Sequence, residues 1–400
     1  MKVLFVHNAY PSQFIHLANA LAREVEVAAI GSSTGEFQSE SIQFLRYNVP
    51  DKNLSAAHPF ARRFEAECRR AEQVIYAASA LKASGFNPDI TVVHPGWGES
   101  LPIRDLFPYT KLVVYCEYFY KANGADFGFD LEFSPTSVDS HVRVHLYNAA
   151  SLLAMVQADK LFSPTVWQRS LFPQPFQEMI EVLHEGIDTE VAKPDARAEV
   201  ALASGRLTAS QEVITYVARN LEPYRGYHVF MRALPAVLRE RPKAHVLIVG
   251  GSGVSYGASP PAGQSWKDVF MCEVADNLDL DRVHFAGVLS YNEYLKVLQI
   301  SSVHVYLTYP FILSWSMLEA MSAACLVIGS DTPPVAEVIQ HGANGLLTPF
   351  LEPEALAECI VGCLAKPGNF RHMRTAARLT VLERYSSQHC LPQMLKYILA

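Results

Sequence analysis

Between Val303 and Asp331 the chain reads VHVYLTYPFILSWSMLEAMSAACLVIGSD. Two short, β-rich apolar runs flank a turn at Thr308-Tyr309-Pro310 and a helix from about Ser314 to Ala324, the pattern of a parallel βαβ unit rather than one long helix. Parallel strands place ligands outside their carboxyl ends, so TYPFILS and the first helical turn should floor a site. Ser314 is the expected N-cap, and the N–H groups of Trp315, Ser316 and Met317 would then face an anion. Ser316 and Glu319 lie three apart on one helix face, which sets a carboxylate one turn behind that anion, within reach of a sugar hydroxyl. Polar residues at Ser316, Glu319 and Ser322 also fit an ordinary solvated face, and this stretch alone leaves both readings open.

A chain of 400 residues is long enough for two or three domains with large cores. Its net charge of −7 argues against a dedicated nucleic-acid binder, and 50% hydrophobic with 18% charged residues argues against disorder. The seven cysteines are scattered without a C-x-x-C pair, so neither a disulfide framework nor a zinc site is expected and a reducing cytoplasm fits. The apolar run after Lys2 stops at His7 and Asn8, too short for a signal peptide. The most apolar window, 303–329, is interrupted by His304, Pro310 and Glu319 and does not read as a membrane span. Composition leaves peripheral membrane contact open.

Taken in order, Lys2–Val6 is a strand, and the loop Asn8–Ser12 leads into a helix near Gln13 without the G-x-G-x-x-G of a dinucleotide binder, so NAD is not expected. Ile90–His94 ends in HPGWGE. Gly96 and Gly98 bracket Trp97, allowing close backbone approach and an aromatic face for a sugar ring, although a tight turn over a core Trp has the same letters. Lys111–Cys116 delivers Glu117 into a loop rich in aromatics from Tyr118 onward, threaded with Asp126 and Asp130. Such a carboxylate is a candidate for acid–base or hydroxyl-binding work, and loop packing is the alternative. Residues 193–211 carry no strong apolar period and read as a linker. In the second half, Arg219 and Arg225 lie six apart between a strand and a helix and could fork onto one diphosphate, each charge-assisted bond contributing roughly 1.5–3 kcal/mol. Asp279-Leu280-Asp281 falls at a strand's amino end, the wrong end for a site, so no metal is expected. One helical stretch from about Asn369 to the end is long enough to cross back over the first domain.

Five motifs in order over Val213–Phe350, RNLEPYRGY, HFAGVLS, FILSWSMLEAMSAACLVIGSD, PPVAEVI and HGANGLL, resemble glycosyltransferase family 4, retaining enzymes of the GT-B fold that use nucleotide-sugar donors. HPGWGES, YCEYFY and NGADFGFD look like a bacterial branch of it. The resemblance implies an α/β protein with two Rossmann-like doubly wound domains facing a cleft. Residues 1–190 would bind the acceptor, together with a C-terminal helix at about 385–400, and residues 205–384 would bind the nucleotide sugar. By motif, Arg219 and Arg225 would hold the diphosphate and Glu319 the ribose hydroxyls. Ile312, Leu313, Ser314, Trp315 and Ser316 would meet sugar and phosphate, and Gly287 and Val288 would flank the base. The first Glu of the family's E-x7-E falls on Phe311, which cannot accept a bond from the donor sugar. Where the family often has a His, this chain has Glu117, so Glu117 and His94 become the catalytic candidates, with Asn8, Ser12, Gly96, Trp97 and Tyr118 on the acceptor side. The implied partners are a nucleotide-sugar donor and a glycan, lipid-linked or small-molecule hydroxyl acceptor, with no cofactor, metal or nucleic acid. An epimerase or phosphorylase on the same fold and a non-catalytic sugar-nucleotide binder are the rival readings.

Overall fold

A computed structural model describes the chain except residues 35–38, 50–52 and 203–204. Strands form where apolar residues run without a helical period. In β1, Lys2–Val6, all four apolar side chains are fully buried, Leu4 and Val6 in one core cluster and Val3 and Phe5 in another on the opposite face. That two-sided burial is the mark of a parallel sheet covered by helices on both faces. The remaining strands of the first sheet are β2 (Glu26–Gly31), β3 (Ile42–Arg46), β4 (Ile90–Val93), β5 (Lys111–Tyr115), β6 (Lys160–Ser163) and β7 (Ile180–Val182). All pair in parallel, in the order β3-β2-β1-β4-β5-β6-β7.

Helix Arg62–Ala83 lays Val74, Ala78 and Leu81 on one face of this sheet, and helices Ile15–Leu21 and Ser387–Leu399 lay Leu17, Leu21, Met394 and Ile398 on the other. Each large apolar side chain so buried contributes about 1.5–3 kcal/mol. The carboxy-terminal helix is therefore part of the first compact unit, comprising Met1–Phe127, Thr136–Gly186 and Ser387–Ala400. It is fastened there by the Tyr397 hydroxyl, which donates to the Leu161 carbonyl at 2.9 Å. The expected single terminal helix is two, Arg371–Arg384 and Ser387–Leu399, because Tyr385 and Ser386 leave the helix to bridge Ile187, whose N–H meets the Tyr385 carbonyl at 2.7 Å.

The second unit comprises Gly128–Pro135 and Ile187–Ser386. Its sheet is built from β8 (Val213–Asn220), β9 (His245–Gly251), β10 (Val283–Gly287), β11 (Val303–Tyr306), β12 (Val327–Ser330) and β13 (Leu346–Thr348), all parallel, in the order β10-β9-β8-β11-β12-β13. Residues 193–211, expected as a linker, instead carry an antiparallel hairpin of Glu199–Leu202 with Gly205–Thr208. Its apolar alternation is too short to stand out in sequence, but Ala198 and Leu207 are buried against Val213, Leu247 and Ile300. Among the described residues no helix is long and apolar enough to cross a membrane.

Both sheets are doubly wound about their first strand, with the order reversing between β1 and β4 and between β8 and β11. Such switch points open a crevice at the strands' carboxyl ends. The loops there are His7–Ser12 and His94–Glu99 in the first unit, and Arg219–Gly226 and Thr308–Ser314 in the second.

Gly98 shows how tightly one of these loops is seated. Its φ is +94°, and a Cβ built on it would lie 2.4 Å from the Glu67 carbonyl oxygen of the helix behind. Gly124 also has positive φ, +78°, but nothing lies within 4 Å of its Cβ position. Gly98→Ala is expected to cost roughly 2–4 kcal/mol and Gly124→Ala only about 1 kcal/mol. Thermal midpoints compare the two, and equal losses would mean that backbone strain rather than the approach of Glu67 dictates the glycine.

Candidate functional site

At the first switch point a small network surrounds Glu117. His94 follows β4, and its Nδ1 accepts the Gly96 N–H at 3.0 Å, which leaves the ring proton on Nε2 to be donated to Glu117 Oε2 at 3.0 Å. The other Glu117 oxygen accepts from the Gln13 amide. Glu117 is thus held through both oxygens while 14% exposed. His94 thereby orients the carboxylate. Trp97 stacks on His94 at 4.4 Å between ring centroids, and Gly96 must be glycine for the loop to fold back, since its Cβ would meet His94 Cε1 at 2.7 Å.

His7, after β1, sits edge-on to His94 at 5.1 Å and accepts the Ala9 N–H on Nδ1 at 3.0 Å. Burial, reinforced by neighbouring His94, holds its pKa well below the usual histidine range, so the ring is neutral at physiological pH.

Of the acceptor-side residues, Gly96 and Trp97 come together with Glu117 and His94. Ser12, at φ +43°, opens the short helical turn that carries Gln13. Two others turn inward. The Tyr118 hydroxyl donates to Asp126 at 2.6 Å, and the Asn8 side-chain oxygen meets Ser32 at 2.7 Å and Tyr47 at 3.2 Å. Behind them the Tyr47 hydroxyl lies 2.6 Å from fully buried Glu99, whose pKa burial raises. Glu67 is raised to about 7, by burial, against the opposing pull of Arg63 at 2.9 Å. Arg63 is itself sandwiched between the Tyr120 and Tyr147 rings, each 4.8 Å away.

The second switch point is built on a cation. Arg225 ends the turn Pro223–Arg225, which Gly226 closes at φ +68° because a Cβ there would fall 2.4 Å from Leu307 Cβ. Its guanidinium is buried. Nη1 donates to Thr308 Oγ1 at 2.8 Å and to the Ile312 carbonyl at 3.2 Å, with the Tyr306 hydroxyl at 3.5 Å. The Tyr256 and Phe311 rings flank it at 5.3 and 5.9 Å. Among the described residues no carboxylate pairs with it within 4.0 Å. The buried Glu222 carboxylate nearby accepts instead from the backbone N–H groups of Ser255, Tyr256 and Gly257 at 3.1–3.4 Å, which pins the loop bearing Tyr256.

Ser314 caps helix Trp315–Ser322 as its position indicates, and its own N–H donates to the Tyr306 hydroxyl at 2.8 Å, beside Arg225. The expected anion-facing N–H groups are only partly available. That of Ser316 bonds Ser314 Oγ at 3.3 Å and that of Met317 the Ser314 carbonyl at 3.2 Å. Leu313 and Trp315 pack against the core around Met317 and Leu318. Phe311 is buried between Tyr224 and Tyr256, at 5.1 and 4.9 Å.

Glu319 sits behind this group, its two oxygens accepting from Tyr291 and Tyr294 at 2.7 and 2.8 Å, and burial raises its pKa. Gly287 ends β10 at φ +67°, with exposed Val288 next to it, near Gly251. Arg219 is exposed near the end of β8 and, among the described residues, makes no side-chain hydrogen bond or ion pair. The structure therefore gathers Arg225, Phe311, Ile312 and Ser314 at one point and sets Arg219 at the surface.

Sequence reasoning missed His7, Gln13, Glu222, Tyr256, Tyr291 and Tyr294 as site residues. Only Tyr291 and Tyr294 left a signal. They lie three apart in a helix announced by the capping box of Ser290 and Glu293, hence on one face.

Residues 23–192 match the model of the Glycosyl transferase family 4 group, and residues 202–380 that of Glycosyl transferases group 1. D-inositol 3-phosphate glycosyltransferase of Mycobacterium ulcerans is 24% identical over 186 residues, 46% of this chain and 37% of that protein. Its namesake in Segniliparus rotundus is 23% identical over 199 residues, 50% of this chain and 42% of that protein. The chain spans less than half the length of the curated relatives it matches. Among solved structures, Anabaena Alr3699/HepE in complex with UDP and glucose superposes with a TM-score of 0.71 at 16% identity, over 99% of both chains. Sucrose-phosphate synthase from Thermosynechococcus elongatus does so with a TM-score of 0.74 at 19% identity, over 99% of this chain and 98% of that one. The fold is that of the GT-B glycosyltransferases.

The raised pKa of Glu67 makes a test of the acid network under the Trp97 loop. A carboxyl that is harder to ionise folded than unfolded adds stability below its unfolded pKa and loses it as pH rises through about 7. The wild-type thermal midpoint should fall between pH 6 and pH 8 relative to that of Glu67→Gln. Parallel curves for the two proteins would show that Glu67 is ionised throughout that range.

Proposed function

The chain belongs to the family 4 glycosyltransferases, and from that membership we propose that it moves a sugar from a nucleotide-diphosphate sugar to an acceptor hydroxyl, with retention of configuration and without a divalent metal. The observation that carries this reading is the burial of Arg225 among neutral partners at a strand-order reversal. Taking a guanidinium out of water costs several kcal/mol unless an anion answers it. A diphosphate would answer it, with charge-assisted bonds of roughly 1.5–3 kcal/mol each, and would need it most as the sugar departs and charge builds on the leaving oxygen. Arginine takes the part a metal takes elsewhere. Exposed Arg219 supplies a second cation that can swing onto the same group.

Glu319 with Tyr291 and Tyr294 offers acceptors and donors for the ribose hydroxyls, since each carboxylate oxygen retains a second lone pair. The donor sugar meets the backbone from Ile312 to Ser314 and the wall of Phe311. In the first unit, Glu117, oriented by His94 and Gln13, receives the acceptor hydroxyl, while Trp97 offers a ring face to an acceptor sugar. The complexes of HepE with UDP and with UDP-glucose make uridine nucleotides the first donors to try. Phe311 favours one rival, a sugar-nucleotide binder without turnover. Slow donor hydrolysis in the absence of acceptor would decide for the enzyme.

Because Arg219 is exposed, Arg219→Ala should leave the thermal midpoint unchanged and lower turnover more than about tenfold, the loss of one charge-assisted bond to the departing group. Nucleotide release from a UDP-sugar, with the product anomer read by NMR and with and without EDTA, measures this. Wild-type turnover in the variant would remove Arg219 from the donor site.

A further inference from the structure

The segment Gly128–Pro135 lies in the first half of the sequence, between stretches of the first unit, yet belongs to the second. Its attachment is specific. The Phe129 ring packs on Tyr309 and Phe350, both 5.3 Å away between centroids, and Phe133 on His228 and Trp266 at 4.9 and 5.2 Å. Glu132 forks onto Arg232 at 2.6 and 2.9 Å. Between the two aromatic anchors sits Asp130, 3% exposed. Its Oδ2 accepts from the Tyr309 hydroxyl at 2.9 Å and from His228 Nε2 at 3.1 Å, and its Oδ1 from the Glu132 N–H at 3.1 Å. The segment's own turn, with the Ser134 N–H on the Asp130 carbonyl at 2.9 Å, sets the carboxylate in place.

The two side chains that Asp130 holds belong to the two segments between which Arg225 is fixed. Tyr309 follows Thr308, which accepts from Arg225 at 2.8 Å, and precedes Ile312, which accepts from it at 3.2 Å. The Tyr309 N–H also donates to the Tyr224 carbonyl at 3.1 Å, and the two rings lie 4.6 Å apart. His228 stands in the first turn of helix Tyr227–Glu240, three residues after Arg225. Removing the carboxylate would leave two buried donors without an acceptor and free the Thr308–Ile312 loop to move away from the guanidinium.

We propose that Asp130 is a positioning residue of the donor site, tying Tyr309 and His228 together so that the Arg225 guanidinium is already aimed when the nucleotide diphosphate arrives. This rests on the donor-site reading above. The full chain is titrated with UDP by calorimetry, and donor and acceptor KM are measured, for the wild type, Asp130→Asn, Tyr309→Phe and the double variant. Tyr309→Phe keeps the ring and its packing and removes only the hydroxyl, so it remains informative if Asp130→Asn folds poorly. Each single variant should weaken UDP binding and raise the donor KM by roughly tenfold with the acceptor KM unchanged, and the double variant should be no worse than the weaker-binding single one. Wild-type UDP affinity in both folded singles, or losses that simply multiply in the double, would overturn the inference. A wild-type chain that binds neither UDP nor GDP, ADP or TDP would instead overturn the donor-site reading itself, and this inference with it.

Discussion

A buried guanidinium that, among the described residues, has no carboxylate within 4.0 Å is the constraint around which the second unit is arranged. Arg225 is kept in place by oxygen dipoles from Thr308, Ile312 and Tyr306 and by two aromatic faces, none of which neutralises it. Dipoles and ring quadrupoles recover part of the lost hydration, and the remainder persists as a field. Several otherwise odd features follow from holding that field open. Gly226 lets the turn pass against Leu307, so that Arg225 is drawn in beyond the carboxyl ends of the central strands rather than left in solvent. Glu222, the acid that could have quenched the cation, is engaged by three backbone N–H groups. A nearby carboxylate is thereby kept from pairing with the arginine and is used to pin the loop that covers it.

The first unit solves a complementary problem with the same strand order. There the group is the carboxyl of Glu117, 14% exposed and hydrogen-bonded to His94 and Gln13. His94 is fixed as an Nε2–H donor by the Gly96 N–H, and His7 is kept uncharged by burial. The glycines that the HPGWGE loop needs serve this end, Gly96 folding its N–H onto His94 and Gly98 resting on the helix behind.

Much of the fold was legible because it depends on short-range pattern. Apolar strand runs, the Ser314 cap and the glycines after strands are local, and together they place the ends of β1, β4, β8 and β11 at the two strand-order reversals. The helix Trp315–Ser322 that Ser314 caps is followed by Ala324 at φ +59°, where sequence offered no glycine to mark the stop. The hairpin over Glu199–Thr208 was hidden for a similar reason, since two four-residue strands with two or three inward side chains barely rise above noise. The site residues divide along the same line. Glu117, His94 and Arg225 follow strand ends and could be named from position alone. Gln13, Tyr256 and Asp130 act through partners 104, 31 and 98 residues away in sequence, and no local pattern carries that information. Tyr118 and Asn8 turn inward onto Asp126, Ser32 and Tyr47, and a polar group at a strand's end carries no sign of such partners in its own sequence.

Glu319 shows what such partners change. A lone glutamate on a helix face suggests a solvated hydrogen-bond acceptor ready for a ribose. With Tyr291 and Tyr294 donating to both oxygens and burial resisting ionisation, it becomes one member of a three-residue unit whose geometry is set before any ligand arrives. The tyrosines stabilise the charged carboxylate that burial opposes, and they offer hydroxyl oxygens of their own as acceptors. Tyr291 is exposed and Tyr294 partly buried, so the two donors reach the carboxylate from unlike surroundings. In both units, then, an ionisable group at the strand-order reversal is aligned by hydrogen bonds from fixed neighbours, Glu117 by His94 and Gln13 and Arg225 by Thr308 and Ile312.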